Sequence, residues 1–213
     1  MTSAFGSNEV RSELPETAII ESWNSIEDKS VKLADVIGDD IIESGRDFDM
    51  AIVVSRGGDG VANITLRRLS FKSPAIYHVG LSSYGDGETT SDHELVMGQM
   101  PTAEEVEGKY ILIIDEVSES GESLYFLTQL LEWAGAKETK TAVIHYKPES
   151  AKMGSGFIPT WYIQETEEWV HYEWEKHDKA GLEFERRKEA AGVKAAERVV
   201  GVVVRTGNQD RSK

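Results

Sequence analysis

Short, unbroken runs of aliphatic residues constrain the fold of this chain more than any other feature. Their apolar residues lack the polar alternation of a strand with one face in water, so both faces are expected to be buried. The strand candidates are MAIVVS at 50–55, PAIYHVGLS at 74–82, YILIID at 110–115, TKTAVIHYK at 139–147 and WYIQET at 161–166. Helical patterns at 22–45, 61–69 and 123–136 separate them. This order indicates an α/β fold with a mainly parallel central sheet flanked by helices.

Polar and charged segments flank this region on both sides. Residues 1–19 are polar enough to form a flexible N-terminus, whereas residues 20–178 hold the strand and helix patterns of one domain. Residues 179–213 carry nine Lys/Arg against five Asp/Glu, and a helix is predicted within them at 182–200. This charged helical extension is either a solvated helix or a contact for an acidic partner or a second subunit.

The composition excludes several classes of function. A net charge of −15 argues against a broad basic face for a nucleic acid. The chain has no cysteine, which excludes disulfides and thiolate metal sites and leads us to expect a cytoplasmic protein. No run of about 18 apolar residues occurs, so no membrane partner is expected.

The residues after each strand are the candidates for a ligand site, because ligands of open parallel sheets bind beyond the carboxyl ends of the strands. At DEVSESGES (115–123), Asp115 and Glu116 can accept both hydroxyls of a ribose or hold a divalent cation. The loop that follows begins a helix, whose amides and dipole favour an anion. The pattern predicts a sugar-phosphate site; a capped helix start beside two solvent-facing acids is the alternative.

A second glycine-containing turn, SRGGDG at 55–60, follows an earlier strand. It fails as a dinucleotide fingerprint because Asn63 stands where a third glycine is required, and it lacks a Walker lysine. Arg56 and Gly57 can instead offer a guanidinium and backbone amides to a second phosphate group. Lys147, after a later strand, is either simply exposed or a ligand contact, and the aromatic residues of 161–174 form either core or a platform for a purine.

Together these segments resemble the type I phosphoribosyltransferases. ILIIDEVSESGES (111–123) is similar to their signature for phosphoribosyl pyrophosphate (PRPP). SWNSIED, VVSRGG, SSY, HYKP and WVHYEWE follow the order found in the 6-oxopurine enzymes, the xanthine-guanine and hypoxanthine-guanine phosphoribosyltransferases. The resemblance covers about residues 20–178 and implies the fold of that family, including a small hood.

The resemblance implies roles at the sugar-phosphate end of the site. Asp115 and Glu116 would hold the ribose hydroxyls, with Glu116 near a Mg²⁺ ion. Arg56 and Gly57 would bind pyrophosphate, in a turn where the family often has a non-proline cis peptide. Ser83 and Tyr84 would begin a mobile loop that closes over the site. The residues implied to bind the 5′-phosphate are Glu119, Ser120, Gly121, Glu122 and Ser123.

The resemblance also implies how the base is bound and deprotonated. Glu119 would be the general base near the purine N7. The residues implied to contact the purine are Lys147, Trp169, Val170 and Glu175. Three positions depart from the family pattern: Glu119 stands where Asp is usual, Asp59 where an aliphatic residue is usual, and Glu173 where a proline is frequent.

The expected function is therefore purine salvage: transfer of a phosphoribosyl group from PRPP to guanine, xanthine or hypoxanthine, with release of pyrophosphate. The resemblance also suggests a homodimer. One alternative is a regulator of the same fold that senses PRPP or a nucleotide without turnover, which Glu119 and Asp59 favour. A dinucleotide-dependent oxidoreductase is a second alternative, weakened by Asn63.

Overall fold

The computed structural model describes residues 18–71, 75–84, 94–97, 99–177 and 205–206. They divide into two compact units. The smaller unit contains the described residues of 1–23 and 168–200, and the larger unit contains 24–84, 94–167 and 205–206 where these are described. Each unit is considered by itself below. The predicted appendage at 182–200 lies outside the described residues, so the predicted boundaries at 19 and 178 stay predictions.

The elements follow one another in an alternating order. The strands are β1 Ile19–Glu21, β2 Met50–Ser55, β3 Ile76–Tyr84, β4 Glu94–Met97, β5 Tyr110–Ile114, β6 Val117–Ser118, β7 Glu138–Tyr146, β8 Trp161–Glu165, β9 Val170–Tyr172 and β10 Arg205–Thr206. The helices are α1 Trp23–Ser44, α2 Gly58–Arg68, α3 Ala103–Val106, α4 Glu122–Trp133 and α5 Pro148–Met153, followed by a 3₁₀ helix at Glu173–His177. No helix in this described part is long and apolar enough to span a bilayer.

The larger unit is built on one sheet with the strand order β10-β8-β7-β5-β2-β3-β4, and β6 pairs with β7 beside this path. The pairings of β2, β3, β5, β7 and β8 with one another are parallel, and only the outer strands β4 and β10 are antiparallel to their neighbours. The expected α/β fold with a mainly parallel sheet flanked by helices is thereby confirmed.

The aliphatic runs form the core, as their lack of alternation predicts. Residues 51–53 and 111–114 have no exposed surface, and Ile52, Ile111 and Ile113 lie in one cluster with Leu124, Leu127 and Leu131 of α4. Each such side chain stabilises the fold by about 1.5–3 kcal/mol when it is fully buried. This burial fixes the positions of the central strands, and with them the points at which the following loops begin.

The register of the parallel strands brings their carboxyl ends to one edge. Val53 pairs with Ile114, and Ile114 pairs with Ala142. The segments that follow β2, β5 and β7 therefore leave the sheet on the same side. These are the segments in which the sequence predicts the sugar-phosphate site.

Two differences from the predicted boundaries bear on the site. Helix α2 begins at Gly58 rather than at residue 61, because the second half of the RGGDG turn is already helical. Ser83 and Tyr84, predicted to begin a mobile loop, end strand β3, where they pair with Leu95 and Glu94 of β4. The loop itself, 85–93, lies outside the described residues.

In the smaller unit, β1 pairs in parallel with β9. The rings of Tyr172 and Trp174 stack with centroids 4.8 Å apart, and Trp174 lies 5.7 Å from Trp23. The predicted aromatic cluster therefore separates by environment: Tyr172 is buried here and Trp161 is buried in the larger unit, whereas Trp169 is 43% exposed. Among the four predicted residues Trp169 is the most exposed, and Trp174 is half-buried.

Candidate functional site

Two adjacent acids end the central strand β5. Asp115 is buried, and its Oδ1 accepts the backbone N–H of Glu116 at 2.9 Å. The Glu116 carbonyl in turn accepts the amides of Ile144 and His145 at 3.1 and 3.0 Å. The two carboxylates are thus held at the sheet edge by the backbone of β7, and Asp115 does not face solvent as the alternative reading required.

The environment of Asp115 disfavours its ionised form. Burial raises the pKa of this carboxyl well above its usual value, and the neighbouring Glu116 and the charge of Asp59 raise it further. A hydrogen bond from the Glu116 amide opposes this shift. Hydroxyl donors or a cation would offset the unfavourable proximity of a buried acid and its half-buried neighbour.

The Arg56–Gly57 turn lies directly against these acids. A Cβ atom placed on Gly57 would overlap the Glu116 carboxylate, and one on Gly58 would lie 2.9 Å from the Ile114 carbonyl oxygen. Both glycines are therefore required by the close approach of the turn to the end of β5. The peptide bond between Ser55 and Arg56 is cis, as the resemblance implied for this turn.

The Arg56 guanidinium is exposed on this turn. Among the described residues it makes no hydrogen bond or ion pair, although the chain carries an excess of acids. An exposed cation beside a glycine turn suits an anionic group, as the sequence predicts.

The predicted phosphate loop connects β6 to α4. Gly121 is the residue that caps α4 and has φ +73°, a left-handed conformation that glycine adopts without strain. Because Gly121 has no side chain, nothing from the cap itself covers the first amides of the helix. Ser120, Glu122 and Ser123 flank this helix start. The loop therefore has the geometry of an anion site at a helix N-terminus.

A segment that sequence reasoning missed supports this loop. The amide and hydroxyl of Ser155 both donate to the Ser120 carbonyl, at 3.1 and 3.0 Å. A Cβ on Gly154 would lie 2.5 Å from the same carbonyl, and one on Gly121 would lie 2.8 Å from Ser155 Oγ. The closely spaced glycines of Gly154-Ser155-Gly156 were a signal of close backbone approach that could have identified it.

Glu119 and Lys147 form an ion pair across the site. Glu119 Oε2 lies 3.1 Å from Lys147 Nζ; the lysine side chain is 5% exposed and the glutamate 54%. The Lys147 amide also donates to the Ser118 carbonyl at 2.9 Å, which fixes the end of β7 to the phosphate loop. The structure therefore joins the predicted base to the predicted contact of the purine 6-oxygen, and Lys147 is not simply exposed.

The other predicted purine contacts belong to the smaller unit. The carbonyl of Trp169 accepts the Ile19 amide at 2.8 Å, and Val170 pairs with Ile19 in the β1–β9 ladder. Glu175 Oε2 accepts the Tyr172 amide at 2.9 Å and lies 3.4 Å from His171 Nδ1. Glu175 therefore stabilises the turn after β9. The sequence predicted only a contact between this residue and the base.

The unusual acid Asp59 has two partners. Its Oδ1 accepts the Ser55 hydroxyl at 2.8 Å and lies 2.7 Å from His78 Nδ1 on the neighbouring strand β3. Sequence reasoning identified Asp59 only as a departure from the family pattern and missed His78 altogether. No local signal could have found it, because 19 positions separate the two residues.

The donor set fits a Mg²⁺ ion that is shared with a substrate. No cluster of three or more His, Cys, Asp or Glu suited to a metal occurs in the described ranges. Asp115 and Glu116 supply two carboxylates, and Mg²⁺ is usually held by one or two carboxylates together with substrate phosphates. The raised pKa of Asp115 is consistent with this, because a cation would compensate its buried charge.

Comparison with known proteins connects this geometry to one family. A family profile described as phosphoribosyl transferase domain matches residues 22–171. A hypoxanthine-guanine phosphoribosyltransferase of Bacillus subtilis (strain 168) is 29% identical over 114 residues, which cover 49% of this chain and 57% of that protein. The match therefore spans little more than half of the curated relative.

Solved structures share the fold. A purine phosphoribosyltransferase from Pyrococcus horikoshii Ot3 has a TM-score of 0.58 at 22% identity, over 74% of this chain and 93% of its own. A hypothetical protein from Neisseria gonorrhoeae, solved with bound ppGpp, has a TM-score of 0.60 at 22% identity, over 84% and 99% of the two chains. A xanthine-guanine-hypoxanthine phosphoribosyltransferase of Helicobacter pylori has a TM-score of 0.59 at 21% identity, over 74% and 94%. The resemblance drawn from the sequence is thus confirmed: the chain belongs to the phosphoribosyltransferase family.

Proposed function

We propose that this protein transfers the phosphoribosyl group of PRPP to a 6-oxopurine, namely guanine, xanthine or hypoxanthine. A purine nitrogen bonds to the anomeric carbon of the sugar while the bond from that carbon to pyrophosphate breaks. The observation that carries the proposal is the 3.1 Å pair of Glu119 and Lys147, which joins the phosphate loop to the end of β7. One end of the site suits a sugar phosphate, and this pair suits the base.

Each part of the sugar phosphate would have a partner in the larger unit. The amides at the start of α4 would bind the 5′-phosphate, since Gly121 adds no side chain to that helix end, where the Ser120 hydroxyl accepts the Glu122 amide at 3.4 Å. Asp115 and Glu116 would accept the ribose hydroxyls, which offset the unfavourable proximity of the buried Asp115 and the half-buried Glu116 carboxylates. Arg56 and Gly57 would bind the leaving pyrophosphate.

Proton transfer would fall to Glu119. The purine must lose a ring proton when its new bond to the sugar forms, and a carboxylate within reach of N7 can accept it. Lys147 can donate to a carbonyl oxygen at the purine 6-position, and cannot accept from an amino group there. The pair therefore favours a 6-oxopurine over a 6-aminopurine. Trp169, 43% exposed, would flank the base, and Val170 and Glu175 would complete its contacts as the resemblance implies.

The remaining expectations from the sequence belong to this proposal. A Mg²⁺ ion bound by Glu116 and Asp115 with PRPP would neutralise the charge of the leaving pyrophosphate. The loop that follows Ser83 and Tyr84 would exclude water from the activated sugar. A homodimer in the cytoplasm is expected from the family resemblance and the cysteine-free composition.

A second candidate is a nucleotide-binding regulator without turnover. Its support is the similar Neisseria gonorrhoeae structure with bound ppGpp, together with the longer Glu119 at the position of the base. In this case the anion sites would bind a nucleotide, and the Glu119–Lys147 pair would persist in the complex.

The two candidates are separated by supplying PRPP and Mg²⁺ with guanine, xanthine, hypoxanthine and adenine in turn and measuring pyrophosphate release. The proposed transferase releases pyrophosphate with at least one 6-oxopurine and little with adenine. Tight binding of PRPP or ppGpp without release from any base would establish the regulator instead. An enzyme equally active on adenine would contradict the role given to Lys147.

A further inference from the structure

Ser55, Asp59 and His78 form a hydrogen-bonded group beside the Arg56–Gly57 turn. Asp59 Oδ1 accepts from Ser55 Oγ at 2.8 Å and lies 2.7 Å from His78 Nδ1. An ionised carboxylate can only accept hydrogen bonds, so His78 Nδ1 carries the proton and donates it to Asp59. Because Ser55 precedes the turn and Asp59 follows it, one carboxylate ties together both sides of the turn and links them to β3.

The stability of the fold does not explain this group. The side chains of His78 and Asp59 are 58% and 43% exposed, and ion pairs in such positions contribute little to folding. Asp59 also lies in the first turn of α2, where an acid interacts favourably with the helix dipole, and this holds with or without His78. We therefore expect His78 to affect ligand binding at the neighbouring turn rather than folding stability.

The charge of Asp59 is unfavourable at that site. It faces the turn that is proposed to bind pyrophosphate, where a carboxylate repels the ligand. Its influence reaches Asp115, because the Asp59 charge is one of the causes that raise the pKa of that acid, after burial and Glu116. A donor bonded directly to Asp59 offsets part of this negative charge and restricts where the carboxylate can move.

We propose that His78 is a positioning residue for PRPP: its Nδ1–H holds the Asp59 carboxylate against Ser55 and offsets the negative charge beside the pyrophosphate turn. This inference rests on the proposed function and extends it to a residue of β3 that touches no substrate group. The hydrogen bond from His78 also explains how an acid at position 59 is compatible with a pyrophosphate bound nearby.

The test measures KM for PRPP, KM for the purine and kcat, with calorimetric Kd for PRPP as a second readout. His78→Ala should raise KM and Kd for PRPP about three- to fivefold, the effect of losing one exposed hydrogen bond to a carboxylate. It should leave kcat and the purine KM within about twofold. His78→Asn keeps an N–H donor near the position of Nδ1 and should behave as wild type. Asp59→Asn/His78→Ala, which removes the charge together with its partner, should restore PRPP affinity to within about twofold of wild type.

A matched control is available at the far end of α2. Asp35 and Arg68 form an ion pair of 2.8 Å with similar exposure, 51% and 53%, and Asp35→Asn should leave all three constants unchanged. Unchanged PRPP affinity in His78→Ala, or a double variant no better than the single one, would overturn the role of His78 alone. A wild-type protein that binds no PRPP would overturn the proposed function and this role with it.

Discussion

The two ends of the central sheet handle charge in opposite ways. At the amino end, around the start of β5, cations and anions pair with one another. At the carboxyl end, acid lies beside acid and an exposed arginine has no ionic partner among the described residues. The amino end is therefore internally paired, whereas the carboxyl end adds to its Glu119–Lys147 pair two adjacent acids and an arginine whose charges a ligand would offset.

Tyr110 is the centre of the amino end. The guanidinium of Arg46 lies 5.4 Å from its ring centroid and the Lys137 ammonium 4.9 Å. Hydrogen bonds from Lys137 and Arg46 lower the pKa of the Tyr110 hydroxyl. Glu138 accepts from Arg46 at 3.3 Å, and Lys140 donates to Asp40 at 2.7 Å. Every charge in this cluster has an opposite partner or an aromatic face, which is an arrangement typical of a stabilising surface.

At the carboxyl end, the arrangement that suits a ligand lowers the stability of the ligand-free protein. Asp115 is buried beside Glu116, and its raised pKa means that the folded chain resists ionising it. Such an arrangement lowers the stability of the free protein and is compensated only when a ligand binds. The contrast implies that removing charge at the two ends should have opposite effects on stability and unequal effects on function.

The largest effect is expected at Glu119. Glu119→Gln keeps the shape but removes the base, so turnover should fall about a hundredfold. PRPP affinity should change by less than about twofold, because the variant alters no proposed phosphate donor. Steady-state turnover and calorimetry measure the two quantities. Glu104→Gln, exposed on α3 and outside the proposed site, is the control and should leave turnover unchanged. Undiminished turnover in Glu119→Gln would remove this residue from proton transfer.

A large effect on binding is expected at Gly57. Gly57→Ala places a methyl group on the Glu116 carboxylate, which displaces either the acid or the pyrophosphate turn. PRPP affinity should fall about tenfold, the loss of roughly one charge-assisted hydrogen bond. Gly80→Ala is the control, because a Cβ atom there meets open space. Equal PRPP affinity in the two variants would show that the turn does not bind the ligand.

The comparison predicts opposite signs for two carboxylates. Asp115→Asn should raise the melting temperature at pH 7.5 by at least about 2 °C, as expected for about 1 kcal/mol in a chain of this size. Above the ordinary pKa of aspartate, folded Asp115 binds more protons than the unfolded chain, so stability falls as pH rises. The gain should therefore shrink as the pH is lowered towards 4 and vanish below the unfolded pKa.

Asp40→Asn is the counterpart at the amino end. It breaks the 2.7 Å ion pair with Lys140 and should lower the melting temperature. Thermal unfolding of both variants across this pH range checks the signs. A destabilised Asp115→Asn at pH 7.5 would contradict the assignment of the carboxyl end as the end strained by function.

The smallest effect is expected at Arg46. Its ion pair with Glu138 is exposed, with 55% and 39% of the two side chains accessible, and such pairs contribute little. Arg46→Ala should shift the melting temperature by no more than about 2 °C and leave turnover unchanged. Kinetic assays that show a loss of activity would mean that the two ends of the sheet are coupled.

The sequence sufficed for the features that are local along the chain. Aliphatic runs without alternation predicted the buried strands, and residues directly after β2, β5 and β7 predicted which segments meet at one edge. The glycines at 57 and 121 were identified as positions where a phosphate could approach the backbone, whereas the close approaches that the structure shows are to Glu116 and Ser155 of the chain itself. These features depend on composition and on the rule that parallel strands end together.

The sequence did not suffice for contacts between distant segments. The support of the phosphate loop by Ser155, the contact of His78 with Asp59 and the buried contact of Lys29 with His145 at 3.2 Å join residues from different elements. Such pairs depend on how elements pack, which a single sequence does not encode in any local pattern. The ion pair of Glu119 with Lys147 belongs to the same class, although each partner was predicted separately.

The most direct test of the contrast between the two ends is the calorimetric affinity of PRPP with Mg²⁺ for three proteins: wild type, Arg56→Ala and Arg46→Ala. The two variants remove the same side chain from opposite ends of the sheet. The account predicts that Arg56→Ala weakens binding about tenfold or more, through the loss of a charge-assisted contact, while Arg46→Ala binds as wild type does. Equal affinity for all three proteins would contradict the assignment of the carboxyl end as the PRPP site.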